Sequence, residues 1–249
     1  MTFNLTASPD FSPDHIAGWY VFNTWLQRKL DVRIHLELYD TFESQRKAIA
    51  EDKIDLIYAN PFDATMLVRD KGFKAVAAPV NKGDEAIIAV LEEGPIKAVE
   101  DLKPGTRIAA TDDPDVNMIG RIMLEPADLN ANNVELKTVD SYAIVAKRLL
   151  RGEADVGFFL KEAFGNFSPV VRKQLRPLVT SQIHVIRHVL LIGPNFAKAH
   201  GDALSQALES MNTDPADKKV LDALGLPGWE KQTQEDTEFM IDLMDTLKF

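Results

Sequence analysis

Short runs of β-branched and aliphatic residues alternate along this chain with longer runs whose apolar positions recur at helical spacing. The first kind, at residues 2–7, 32–38, 54–58 and 75–79, predicts strands; the second, at 13–30, 41–51 and 62–71, predicts the helices between them. Past Pro104-Gly105 the rhythm returns, with strands at 107–110, 134–138 and 154–159 and helices at 114–125 and 141–151. Such alternation implies the α/β class, with mainly parallel sheets covered by helices on both faces.

The two series share residues as well as rhythm. Asp40-Thr41-Phe42 matches Asp140-Ser141-Tyr142, Lys47 matches Lys147, and Ile54-Asp55-Leu56-Ile57-Tyr58 matches Ala154-Asp155-Val156-Gly157-Phe158, each displaced by 100 positions. With a small shift, Pro13-Asp14 pairs with Pro114-Asp115 at the head of a helix. Capping preferences alone make βα units look alike. Agreement of register across strand, cap and following strand points instead to two equivalent lobes. Apolar runs at 85–91 and 184–192 flank the second series. Assigned to the first lobe's sheet, they make the second lobe an insertion: lobe 1 comprises 1–93 and 184–249, lobe 2 comprises 94–183, and hinges fall near 93–95 and 181–185. Helical patterns at 195–211, 214–224 and 234–247 complete lobe 1. Two lobes joined by a double crossover imply a cleft that closes on a small ligand.

Charge and composition remove several alternatives. A formal charge of -10, with Lys and Arg scattered, excludes the concentrated basic face of a nucleic-acid binder. No apolar run approaches the roughly 20 residues that span a bilayer, so no membrane insertion is expected. Without cysteine there are no disulfides, thiolate metal sites or cysteine nucleophiles. Met1-Thr2 leads directly into a strand pattern. Two expectations stay open on that point: a periplasmic protein whose leader has been removed, and a cytoplasmic one.

Four stretches carry a family likeness: Lys53-Ile54-Asp55-Leu56-Ile57-Tyr58-Ala59-Asn60-Pro61, Val99-Glu100-Asp101-Leu102-Lys103-Pro104-Gly105-Thr106-Arg107-Ile108-Ala109, Gly152-Glu153-Ala154-Asp155-Val156-Gly157, and Ala223-Leu224-Gly225-Leu226-Pro227-Gly228-Trp229. In order and spacing they resemble the substrate-binding proteins of phosphate, phosphite and phosphonate ABC transporters. The resemblance implies a two-lobed type II periplasmic-binding-protein fold and a monomeric receptor. Such a receptor closes on a small polar ligand and hands it, unaltered and without a cofactor, to a permease or sensor partner. The likeness is weaker at the ligand positions. Phe42 stands where relatives place a tyrosine, and Ala64 where many have a second aromatic, with Asn60-Pro61-Phe62-Asp63 forming the turn. The hydroxyl-rich anion loop aligns with Asp112-Asp113-Pro114-Asp115-Val116-Asn117, the usual His-Asp reads Tyr142-Ala143, and the usual Asp of the return strand reads His188.

Candidate ligand contacts follow from placement. Thr41 and Ser141 begin helices, where a hydroxyl and free backbone N–H groups hold an oxyanion or simply cap the helix. Phe42, Phe62, Tyr142 and Phe159 form an aromatic lining or belong to the core. Asp10 and Phe11 lie after the first strand, at the carboxyl edge where α/β sheets bind ligands, and Asn60 lies in the equivalent turn after the third. Asp113 and Asp115 either bind an amine or complement a helix dipole. Arg187 is the best candidate for an anion clamp, with a structural ion pair near the hinge as the slightly favoured alternative, and His188 stands beside it. His35, His184 and His188 lack metal-ligand spacing, so no metal is expected.

Nucleophile-elbow, Walker, dinucleotide and zinc-hydrolase motifs are absent, which favours a binding protein over an enzyme. The rival reading is a cytoplasmic sensor or an enzyme on the same scaffold, of the menaquinone- or thiamine-precursor type. Ser8-Pro9-Asp10-Phe11 resembles the amino-terminal loop of the menaquinone enzymes.

Overall fold

The structure, a computed structural model, describes residues 2–11 and 13–246. In chain order the first elements are β1 (Thr2–Ala7), α1 (Ile16–Leu30), β2 (Arg33–Leu36), α2 (Phe42–Ala50), β3 (Leu56–Ala59), α3 (Pro61–Lys71) and β4 (Lys74–Pro79). Then come β5 (Ala86–Leu91), β6 (Arg107–Ala110), α4 (Pro114–Ile122), β7 (Glu135–Thr138), α5 (Tyr142–Leu150), β8 (Val156–Leu160), α6 (Lys161–Gly165), α7 (Pro169–Arg172) and β9 (Leu175–Thr180). The last are β10 (Val189–Ile192), α8 (Pro194–Met211), α9 (Pro215–Leu224), β11 (Trp229–Lys231) and α10 (Gln234–Thr246). Leu247, the end of the last expected helix, lies outside the described residues.

Two compact units result, one from the chain up to Lys82 together with Arg187–Met244, the other built on Gly83–Ile186. The first unit's sheet has the order β11-β4-β10-β3-β1-β2 and the second's β7-β6-β8-β5-β9. In the first, β1 runs parallel to β2 and β3 while β10 is antiparallel to β3 and β4. In the second, β6 runs parallel to β7 and β8 while β5 is antiparallel to β8 and β9. The five strands of one sheet therefore repeat the order and sense of five in the other. Strands β3, β10 and nearly all of β5 are buried along their length, as expected where helices cover both faces.

The internal repeat has a physical cause. Asp55 Oδ2 accepts the backbone N–H of Asn4 at 2.9 Å, and Asp155 Oδ2 accepts that of Arg107 at 2.9 Å, so each aspartate ties the start of one strand to its parallel neighbour. Thr41 and Ser141 cap α2 and α5, accepting the N–H groups of Ser44 and Ile144. Close approach is built in as well. At Gly18 an added Cβ would run into the carbonyl of Ala223, so α1 and α9 pack backbone against backbone, and at Gly157 it would crowd Phe159, Leu149 and Val145.

Several expectations change. The run 85–91 is a strand of the second sheet, flanked by β8 and β9, so the chain enters the second unit at Gly83, ahead of the expected 93–95. An apolar run buried on both faces reads alike in either sheet, and only pairing decides between them. The expected strand at 184–192 starts at Val189: His184 has φ of 57°, and its N–H and that of Ile183 point to Glu85 instead of to a ladder. Strands β9 and β11 were not anticipated. β9 contains Pro177, which suits the edge position it occupies beside a break in register at Ile88/Ala89.

Glu85 is the buried organiser of that connection. Its carboxylate accepts the Ser181 hydroxyl and the N–H groups of Ile183 (3.2 Å) and His184 (2.8 Å). Burial pushes its pKa up, but these donors outweigh burial and hold the carboxyl below its ordinary value.

Candidate functional site

In the first unit the chain leaves the carboxyl ends of the parallel strands β1, β3 and β2 through residues 8–11, through Asn60 before α3, and through the segment ending at Thr41 before α2. Because β10 is antiparallel to β3 with Val189 opposite Ala59, Arg187 and His188 arrive at the same edge. There His188 Nε2 lies 3.0 Å from Asp10 Oδ1 and 3.1 Å from Oδ2, and its ring stacks on Tyr58 with centroids 5.0 Å apart. Phe11 packs on Trp19 at 6.0 Å and joins the rim of the core.

Asn60 is fully buried and works inside the protein. Its Oδ1 accepts the N–H of Asp63 to cap α3, its backbone N–H donates to Ser8 Oγ at 2.9 Å, and its Nδ2 donates to Asp63 Oδ2 at 2.9 Å. Asp63, only 2% exposed, accepts a two-point contact from Arg46, Nε to Oδ1 at 2.6 Å and Nη2 to Oδ2 at 3.2 Å. The Arg46 guanidinium carbon lies 5.2 Å from the Phe42 ring centre and 5.1 Å from that of Phe62. Phe42 is buried, whereas Phe62 is 41% exposed. Thr41 is exposed at its cap.

Of the two roles open to Arg187, the structure shows the ion pair and not the anion clamp. Its Nη1 donates to Glu230 and its Nη2 to Gln232 at 2.9 Å, both near β11, so the terminal edge of its fork is closed by the protein. It is a structural ion pair holding the return strand to β11.

In the second unit the corresponding edge has other chemistry. Asp113 caps α4, its Oδ1 accepting the N–H groups of Asp115 and Val116 at 3.1 Å, and its Oδ2 accepts the Tyr142 hydroxyl at 2.7 Å. Asp115 is 1% exposed in the first turn of α4. Ser141 caps α5, and Tyr142 leans on Phe159 at 6.2 Å. Phe159 is fully buried against Phe164 and Phe167, which makes it a core residue and corrects its place in an aromatic lining.

Arg46 and Asp63 are the edge residues that sequence reasoning missed. Phe42 and Arg46 do fall four apart on one helix face, and Asp63 follows its cap Asn60 by three, but nothing in the sequence pairs α2 with α3.

Two α/β units built on one plan, with caps and loops at the carboxyl edge of each sheet, place the chain in one fold class, the type II periplasmic-binding fold. Solved structures of that class superpose on nearly the whole chain. PhnD1 from Prochlorococcus marinus, solved in complex with methylphosphonate, matches with a TM-score of 0.80 at 13% identity, covering 99% of this chain and 98% of its own. The aliphatic sulphonate binding protein SsuA from Escherichia coli matches with a TM-score of 0.70 at 15% identity, covering 98% and 91%. XAC2383 from Xanthomonas citri, solved with chloride ion, matches with a TM-score of 0.78 at 14% identity, covering 99% and 98%. In sequence, residues 5–237 match the family model described as the periplasmic substrate-binding protein of phosphonate ABC transporters, and the chain belongs to that family. It is a solute-binding protein, of a family that serves transport and not catalysis, works beside ABC-transporter components and implies a periplasmic location. No curated protein matches the chain in sequence.

Proposed function

We propose that this chain is the periplasmic receptor of an ABC uptake system, holding one small polar solute and presenting it to the permease unchanged. The observation that carries the reading is the family match over residues 5–237. The edges of the two sheets support it, since each offers capped helix starts and polar side chains at its strand ends. Phosphonates and sulfonates, the ligand classes named for PhnD1 and SsuA, are the first solutes to consider. The start of α4 argues against its use as an oxyanion cradle. Asp113 already occupies two of the N–H groups there, and Asp115 adds a second carboxylate. An anion bound by this protein is therefore recognised elsewhere than at that helix start.

The test is a thermal-unfolding screen of ligand-stripped protein against methylphosphonate, phosphite, phosphate, methanesulfonate, carboxylates, amino acids and small amines. A solute that binds only the folded state raises stability by about 2.7 kcal/mol at a hundredfold excess over its dissociation constant. Stabilisation by one chemical class supports the receptor; indifference to every class defeats it.

A further inference from the structure

Two arginines reach the carboxyl edge of the first unit's sheet, and they use their forks differently. A guanidinium can bind a carboxylate along its side, through Nε and one Nη, or end-on through both Nη groups. Arg187 gives both Nη groups to the protein, to Glu230 and Gln232. Arg46 gives Asp63 its side, Nε and Nη2, and has no other hydrogen-bond acceptor among the described residues. Its terminal Nη1/Nη2 edge therefore still points two parallel N–H groups away from the buried aspartate.

The surroundings fix that edge in place. Asp63 is immobilised by the Asn60 amide, which is itself bonded to Ser8, so the guanidinium rests on a buried and fully bonded base. The guanidinium carbon also lies over the Phe42 and Phe62 rings, about 5 Å from each ring centre, so cation–π contact adds to the hold of Asp63. The Arg46 side chain is 36% exposed, against 2% for the Asp63 side chain it rests on. A two-oxygen acid group fits such an edge in a way that a cation or an apolar group does not.

We propose that Arg46 is the anion-recognition residue of this receptor, taking a carboxylate, sulfonate or phosphonate head group end-on through Nη1 and Nη2. The proposal rests on the receptor reading above and narrows its ligand to one with an oxyanion. Asp63, Phe42 and Phe62 are positioning residues that hold the fork's plane. Asp63 also offsets the charge of Arg46, so recognition depends on fork geometry more than on net charge.

The test measures binding of methylphosphonate, methanesulfonate, acetate and methylammonium by calorimetry to the wild-type chain, to Arg46→Lys, and to the double variant Arg46→Gln/Asp63→Asn. The lysine keeps a charge opposite Asp63 but has no fork, and the double variant removes both charges so that no carboxylate is left buried alone. Unfolding curves without ligand confirm that each variant is folded. The expected result is an anion bound by the wild type, weakened roughly tenfold by Arg46→Lys and roughly 30-fold or more by the double variant. Equal anion affinity in all three proteins overturns the role of Arg46 and leaves the receptor standing. Binding of methylammonium alone overturns the oxyanion assignment and also leaves the receptor standing. A wild type that binds none of the probes, and is stabilised by no class in the wider screen, overturns both readings.

Discussion

Helix α2 carries Arg46 where α5, its counterpart 100 residues later, carries Ala146, and α3 carries Asp63 where α6 carries Ala163. The two units share strand order, the capping hydroxyls of Thr41 and Ser141, and the strand-tying carboxylates of Asp55 and Asp155. They part company in the first two turns of the helices. The first unit places a guanidinium on a buried aspartate beside two phenylalanines, whereas the second places the Tyr142 hydroxyl on the Asp113 carboxylate. What is common is the frame; what differs is the chemistry hung from it. That is the expected division when a fold is conserved by packing and a site is free to change.

Transplanting the first unit's residue into the second is the strongest way to break the comparison. Ala146 is 3% exposed and has no aspartate at position 163, so Ala146→Arg buries an unpaired cation and is expected to cost about 4 kcal/mol in urea unfolding. A cost under about 1 kcal/mol would mean that the second unit tolerates the first unit's chemistry. A smaller effect is expected of Tyr142→Phe, which gives the second unit the first unit's residue and removes a hydroxyl donated to a buried carboxylate. The same unfolding measurement should show a loss of about 1.5 kcal/mol. The caps sharpen the shared side: Thr41→Ala and Ser141→Ala should each cost about 1 kcal/mol and agree with one another within experimental spread.

Smallest is an acid effect confined to one unit. Arg107 stands where Asn4 stands in the first unit, and its guanidinium hydrogen-bonds Asp155, which with the backbone N–H and the nearby charge outweighs burial and holds the carboxyl below its ordinary value. A depressed folded-state pKa contributes stability that is present above the unfolded value and lost as pH falls through the folded one. Below about pH 4, therefore, the wild type should lose a contribution that Asp155→Asn never had, and the two unfolding midpoints should converge.

The frame was legible because it is local. Caps, strand runs and the repeat of Asp55 and Asp155 are all stated within a few residues of where they act, and the predicted strands at 2–7 and 107–110 coincide with β1 and β6. The placement of β5 was not legible, since buried runs carry no mark of which sheet they join. The chemistry was legible only in part. Phe42, Thr41, Ser141 and Tyr142 were found at helix starts, but Phe159 proved to be core and Arg187 a tie to Glu230. Arg46 and Asp63 were missed, and Arg187 was left between two roles, for the same reason: whether a fork is open or closed depends on residues 17 to 45 positions away.

Asp84 N–H donates to the Ile186 carbonyl at 2.9 Å, and the Glu85 carboxylate gathers Ser181, Ile183 and His184 beside it. The inserted unit thus fastens its own entrance to its own exit. The detour from Gly83 to Ile186 therefore begins and ends at a paired stem, and the chain meets the same unit again at Asp245, near the end of α10. The entropy of closing that long loop is met inside the unit when it folds, and grows only with the logarithm of its length. Such a stem makes the second unit a cassette: its interior can lengthen, shorten or be exchanged while the gap the first unit must bridge stays the same.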